Sequence, residues 1–185
     1  MQNRPPSFLF LSVSIGLGIL LALLGNAAAK LRAEDKPAAT KPRDAILRTP
    51  EQAVLEATFL QDAMHAMLQI THHRYYKEDE GLELPAATMA EVFKDLEEEH
   101  QLKLRWLVVE GQAMNSDHLA QDDFERAAVQ SLLAGKKVHE SLENGYYRRA
   151  GAITLSNVCL KCHVPDRRDT RNRTAGLVIS IPVRQ

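Results

Sequence analysis

The chain has 185 residues, with 23 Lys and Arg against 24 Asp and Glu, a formal net charge of -1. That length allows one domain with a real core, and the balanced charge argues against a nucleic-acid surface, which needs clustered excess cation. Only two cysteines are present, so a multi-disulfide scaffold is excluded as well.

The first segment lies outside any core. Residues 1–29 hold a single charge, Arg4, then an apolar run over residues 8–24, then Ala27-Ala28-Ala29. This is the order of a secretory signal peptide, and cleavage after Ala29 takes the net charge from -1 to -2 by removing Arg4. The run is close to the ~20 residues that span a bilayer, so an uncleaved N-terminal membrane anchor is the competing expectation. Either way the remainder is expected outside the cytoplasm, in a periplasmic or exported location. Residues 30–49, rich in charge, Ala and Pro and poor in large apolar side chains, read as a flexible linker, and 50–185 as the folded domain.

Thr49-Pro50-Glu51 has the chemistry of a helix start: a hydroxyl cap, a proline where no N–H is needed, and an acid facing the dipole. Val54, Leu60, Ala63, Met64, Met67 and Ile70 then recur at helical spacing, predicting a helix of about 25 residues. Pro85 opens a second helix to about Glu99, with Met89, Val92, Phe93 and Leu96 on one face. Residues 102–109 alternate apolar and charged and predict a strand. A third helix is predicted from Asp122-Asp123 to its stop at Gly135. Residues 138–142 and 146–155 flank Asn144-Gly145, a pair suited to a tight hairpin. A basic stretch from Pro165 to Thr174 reads as a loop before a last strand over 176–183, whose Pro182 is tolerable only at a strand end or edge. The expected class is α+β, with helices packed on a small antiparallel sheet.

Cys159-Leu160-Lys161-Cys162-His163 carries the chemistry. Two thiols separated by two residues can each add to one haem vinyl group, and the next histidine is then held against the iron as proximal ligand. A disulfide or dithiol uses only the cysteines and not His163. A zinc site needs two further ligands, for which His72-His73 are distant candidates. One covalent haem c is therefore the expected cofactor, with Cys159 and Cys162 forming the thioethers.

The sixth iron ligand is less determined. Candidates are His65, His72, His73, His118, Met64, Met67 and Met114. A helix turns ~100° per residue, so adjacent His72 and His73 cannot both aim at one iron. His72 lies beside Leu68 at the edge of the apolar stripe and is preferred as distal ligand over the runners-up His73 and His65. Met64 and Met67 read as packing residues. Arg105, Arg148, Arg149, Arg167 and Arg168 are candidate partners for the haem propionates, though an ordinary surface role is the better reading for most of them. Tyr146, Tyr147 and Trp106 are either haem walls or general core. Glu97-Glu98-Glu99 reads as a solvated helix end, and no Ser-His-Asp set or phosphate loop marks an enzyme.

With those residues in hand, the chain from about Glu51 to Val183 resembles the single-haem c-type heme family of bacteria and cyanobacteria, a domain of unknown function. The stretches that carry the resemblance are Leu84-Pro85-Ala86-Ala87 to Val92-Phe93, Met114-Asn115 to Phe124-Glu125, Tyr147-Arg148-Arg149-Ala150, and Cys159 to His163 followed by Ala175-Gly176-Leu177-Val178-Ile179-Ser180. The resemblance implies a fold similar to PAS sensor domains, with haem against the sheet and His163 proximal. It also implies a distal cysteine near the end of the first helix, which this chain lacks; Thr71-His72-His73 occupies that region. Imidazole in place of thiolate should raise the reduction potential. The expected function is electron transfer with a redox partner protein. The alternative is a redox or gas sensor that reports to a partner.

Overall fold

The computed structural model describes residues 46–77, 80–164 and 167–184. The expected signal peptide or anchor, including residues 8–24, and most of the expected linker lie outside these. Among the described residues no helix is long and apolar enough to cross a membrane.

The domain is α+β. Helix α1 (Pro50–Arg74) and helix α2 (Pro85–His100) precede strand β1 (Lys103–Leu107). Helix α3 (Asp123–Leu133), strands β2 (Val138–Glu143) and β3 (Tyr146–Leu155), the one-turn helix α4 (Leu160–His163) and strand β4 (Arg173–Pro182) follow. The four strands form one antiparallel sheet in the order β1-β4-β3-β2. The last strand is thus interior. Pro182 is accommodated because β1 stops at the Lys103–Ser180 pair, so no β1 partner reaches Pro182.

Local chemistry accounts for the boundaries. Thr49 and Gln52 cap α1 reciprocally, the Gln52 N–H donating to Thr49 Oγ1 at 3.3 Å and the Thr49 N–H to Gln52 Oε1 at 2.9 Å. The β2–β3 hairpin turns through Asn144 (φ 53°) and Gly145 (φ 77°), left-handed values that match the right-handed twist of the flanking strands.

Alternation along the sheet buries both faces. Leu177, Ile179 and Ile181 of β4, with Tyr147 and Ile153 of β3, join Ala53, Ala57 and Met64 of α1 and Met89 and Phe93 of α2 in one core. Val178, Ala150 and Leu107 meet Phe124 and Ala128 of α3 on the other face. Each fully buried Leu or Ile here contributes about 1.5–3 kcal/mol through burial.

Three expectations are corrected. The face of α1 against the sheet is Ala53, Ala57, Gln61 and Met64, while Met67 and Ile70 are exposed. Small side chains let the helix approach the sheet closely, so the largest apolar residues do not mark the buried stripe. The last strand begins three residues early, at Arg173, whose buried guanidinium pairs with Asp169 at 2.9 Å. Finally, Ile46 to Thr49 belong to the domain and not to the linker. Arg48 is buried, bridges in parallel to Val183, and pairs with Glu56 at 2.9 Å while donating to the His100 carbonyl at 3.0 Å.

A buried ion network fastens α3 to the sheet. The Glu125 carboxylate accepts from Arg105, from Arg148 at 3.5 Å and from the Gln121 N–H at 2.8 Å. Asp122 caps α3 by accepting from the Glu125 N–H at 2.9 Å and pairs with Arg148 at 2.7 Å. Burial pushes the Asp122 carboxyl up, but the Glu125 N–H and Arg148, with the field of Arg105, outweigh it and leave it below its ordinary value of 3.8. A carboxylate with a depressed folded pKa stabilises above its unfolded pKa and loses that contribution as pH falls through it. Asp122→Ala should therefore cost about 1 kcal/mol in urea denaturation at pH 7. The difference from the parent protein should shrink as the pH is taken below about 4.

Candidate functional site

The Cys159–His163 segment forms a turn of helix because its hydrogen bonds close locally. The Cys159 N–H donates to the Ser156 carbonyl at 2.8 Å, the His163 N–H to the Cys159 carbonyl at 3.1 Å, and the Val164 N–H to the Leu160 carbonyl at 3.0 Å. Side chains three and four positions apart share a side of a helical turn. Cys159, Cys162 and His163 therefore share one side, while Leu160 points away and is fully buried. Both cysteines are free and half-buried, so they form no disulfide with each other.

A second segment holds this turn from behind. After β1, the Glu110 N–H donates to the Thr174 carbonyl at 2.9 Å, and the Glu110 carboxylate accepts from the Thr174 N–H at 2.7 Å. The Gln112 N–H donates to the His163 carbonyl at 3.1 Å. Gly111 between them has φ +100°, and a Cβ there would lie 2.6 Å from the His163 carbonyl oxygen. Only glycine allows that approach.

In front of the turn lies a cleft of about 410 Å³, within the range of sites that bury a large ligand. Leu68, Ile70, Ala86, Ile153, Leu155 and Val158 supply its apolar lining, and His72, Cys159 and His163 also face it. A smaller, more enclosed recess joins His72 and Tyr76 to Cys159, Cys162 and His163. The last turns of α1 thus face the turn at Cys159–His163, with Gln69 Nε2 donating to the Thr154 carbonyl of β3 at 2.8 Å across the gap. The His72 ring sits 5.0 Å from that of Tyr76, tilted by 42°.

Both imidazoles are held in the form that binds metal. Burial pushes His72 below its ordinary range, against a backbone hydrogen bond that favours its protonation. Burial lowers His163 too, and the nearby His72 and His118 add to the effect. Both are therefore neutral at pH 7, with a lone pair free for coordination. Among the described residues no three His, Cys, Asp or Glu side chains gather as a metal cluster. A structural zinc site needs four ligands, whereas a porphyrin brings four nitrogens of its own and asks for one or two.

The other candidates fall elsewhere. His73 lines the wide cleft but is exposed, and His65 lines neither space. His118 lines a separate depression with Arg105 and Asp117. Met64 is core, and Met67 and Met114 are exposed. Arg105 and Arg148 are committed to Glu125, and Arg149 pairs with Glu140 at 2.8 Å. Tyr147 is buried with its hydroxyl on Glu140, and Trp106 donates to the Ala86 carbonyl at 3.0 Å; neither lines the cleft, nor does Tyr146. Glu110, Gly111 and Arg74, the last a cation that lines the cleft, were not singled out by sequence reasoning. A lone acid, glycine or arginine carries no spacing signal.

Residues 48–176 match the Tll0287-like family, most of the described domain. The chain belongs to the Tll0287-like family. Its fold is also similar to that in the crystal structure of the cyanobacterial heme-protein Tll0287, with a TM-score of 0.51 at 16% identity, over 75% of this chain and 99% of that one. At that identity the likeness speaks for the fold. None of the curated proteins matches.

The contact between Gly111 and His163 is open to test. Gly111→Ala should strain the left-handed backbone and push the His163 carbonyl away, costing about 1–3 kcal/mol. Amide hydrogen exchange should rise at Gln112 and through residues 159–164 before it rises in the sheet. Unchanged protection there would show that the loop does not hold the turn.

Proposed function

We propose that the cleft holds one haem c, covalently attached through Cys159 and Cys162, with His163 and His72 as axial ligands, and that the protein is an electron carrier. The observation that carries this reading is the convergence of Cys159, Cys162 and His163 on one side of a single helical turn, with His72 facing them from α1 across an apolar space.

The residues fit the group. Two unpaired thiols match two vinyl carbons, two neutral imidazoles match two axial positions, and aliphatic side chains match the porphyrin faces. When bound, haem would supply a one-electron ferric–ferrous couple. What the chain contributes is position: Leu160 and the 110–112 loop fix the proximal imidazole, Tyr76 flanks the distal one, and the apolar lining excludes water. The structural relative is a heme-protein, which supports the same cofactor here. The helices packed on an antiparallel sheet support a PAS-like scaffold.

We further read the protein as a redox carrier and not an enzyme, exported to a periplasmic space. Residues 1–29 act there as a cleaved signal peptide, or residues 8–24 as an uncleaved anchor. The order of charge, apolar run and small residues supports export.

Protein matured in a host competent for cytochrome assembly should be coloured, with a mass exceeding the polypeptide by one haem. Cys159→Ser with Cys162→Ser should leave haem extractable by acidic solvent, and colourless wild-type protein would end this reading. His72→Ala should convert a low-spin spectrum to one with high-spin bands and admit carbon monoxide to the reduced form. A low-spin spectrum untouched by that change would remove His72 from the site. Rapid carbon monoxide binding by the wild type would favour gas sensing over electron transfer.

A further inference from the structure

The sheet has one covered edge and one open edge. At the β1 edge, Arg105 donates to the carbonyls of Asp117 and Leu119, and the Val108 N–H just beyond the strand donates to the His118 carbonyl at 2.8 Å. At the other edge β2 pairs with β3 alone. The Lys137 carbonyl accepts from the Ala152 N–H at 2.9 Å, which continues that ladder one residue before β2. Backbone groups of an antiparallel strand point to alternate sides. His139, Ser141 and Glu143 therefore face β3 as Lys137 does, and the N–H and C=O groups of Val138, Glu140 and Leu142 face outward. Among the described residues no other backbone group meets them.

An open edge is a template for a further strand, and proteins guard it with proline, a bulge or charge. β2 has no proline, keeps an unbroken register with β3, and leaves Leu142 58% exposed. Its charges are ordered by position. Lys137 stands at one end and Glu143 at the other, both exposed and neither in an ion pair among the described residues. Glu140, at the centre, is already held by Arg149 at 2.8 Å and by the Tyr147 hydroxyl at 2.7 Å. Read in the opposite direction, this order is its own complement.

We propose that β2 pairs antiparallel with β2 of a second copy of this chain, about a two-fold axis at Glu140, so that two four-stranded sheets continue as one. Outward groups can meet only outward groups, so the possible registers lie two residues apart. The register centred on Glu140 matches the whole of 137–143 to itself. Val138 then exchanges both its bonds with Leu142 of the second copy, and Glu140 with its counterpart, making about six bonds in all. Val138 covers the exposed Leu142, and Lys137 stands opposite Glu143 of the second copy. A shift of two residues loses both pairs. The two Glu140 carboxylates each keep their Arg149, which offsets their repulsion. Because the same patch serves both copies, the contact closes as a dimer. One strand from each side is a small interface, and the association is weak and reversible. No β2 residue lines the cleft, so the inference stands apart from the haem reading.

Sedimentation velocity on the haem-loaded protein follows its mass against concentration. The mass should rise from one chain toward two between about 10 µM and 1 mM, the range of a weak contact. Lys137→Glu or Glu143→Lys should each weaken association at least about tenfold, since the two-fold axis counts each change twice. Together they exchange the partners and should restore the dimer to within about threefold. Both side chains are exposed, so the fold should tolerate the changes. Amide exchange gives a second reading. It should slow with rising concentration at Val138, Glu140 and Leu142, while His139, Ser141 and Glu143 stay protected throughout.

Protein that remains monomeric to about 1 mM, with fast exchange at the three outward amides, would overturn the proposal. A dimer indifferent to either reversal, or not restored by the combined variant, would place the contact on another face and overturn it too. Lys137→Ala with Glu143→Ala separates pairing from guarding. Weaker association supports pairing, whereas stronger association would show that these charges hold copies apart and would defeat the inference.

Discussion

The site depends on the burial of Leu160. A four-residue helix has too few hydrogen bonds to be stable alone, since nucleating helical structure costs more than one turn returns. Placing Leu160 wholly inside the domain ties the turn to the core, and that fixes where Cys159, Cys162 and His163 point. The backbone of His163 is then gripped from the other side by the Gln112 N–H, which Gly111 permits to come close.

The side of the cleft that carries His72 is built differently. His72 lies in the last turn of α1, whose nearest anchors are Leu68, partly buried against the core, and Gln69, bonded to β3. The two imidazoles thus sit on elements of unequal anchoring, His163 on a turn pinned by a fully buried side chain and a clamped carbonyl, His72 at a helix end. Opening of the cleft is expected to begin with the end of α1, because element ends open at lower free energy than core strands. The same geometry gives the sheet a plain role: β3 and β4 hold the segment between them, and α1 closes over it.

The opposite face of the sheet is organised by charge. Glu125, enclosed by Arg105, Arg148 and the Gln121 N–H, is the most buried acid among the described residues. Removing one member of such a set costs far more than the set contributes, because a charge is left without partners in a poorly solvated place. This explains why Arg105 and Arg148, two of the five arginines that sequence inspection offered to the propionates, are unavailable. Their partners lie 20 and more residues away, in α3.

What could be read from the sequence was local. The cap at Thr49, the starts at Pro50 and Pro85 and the turn at Asn144-Gly145 are each decided within a few residues, and each matches the element observed. The family match agrees with the resemblance read from motifs along the domain. Pairing across distance was not legible. Nothing in the order of residues says that the small face of α1 meets the sheet while Met67 and Ile70 stay exposed, or that β4 is interior. The convergence of His72 on Cys159 and His163 likewise arises only when α1 packs over β3. Hydrogen-bond spacing and helix periodicity act along the chain, whereas the choice of which side chains share a cleft is made by packing between elements far apart in it.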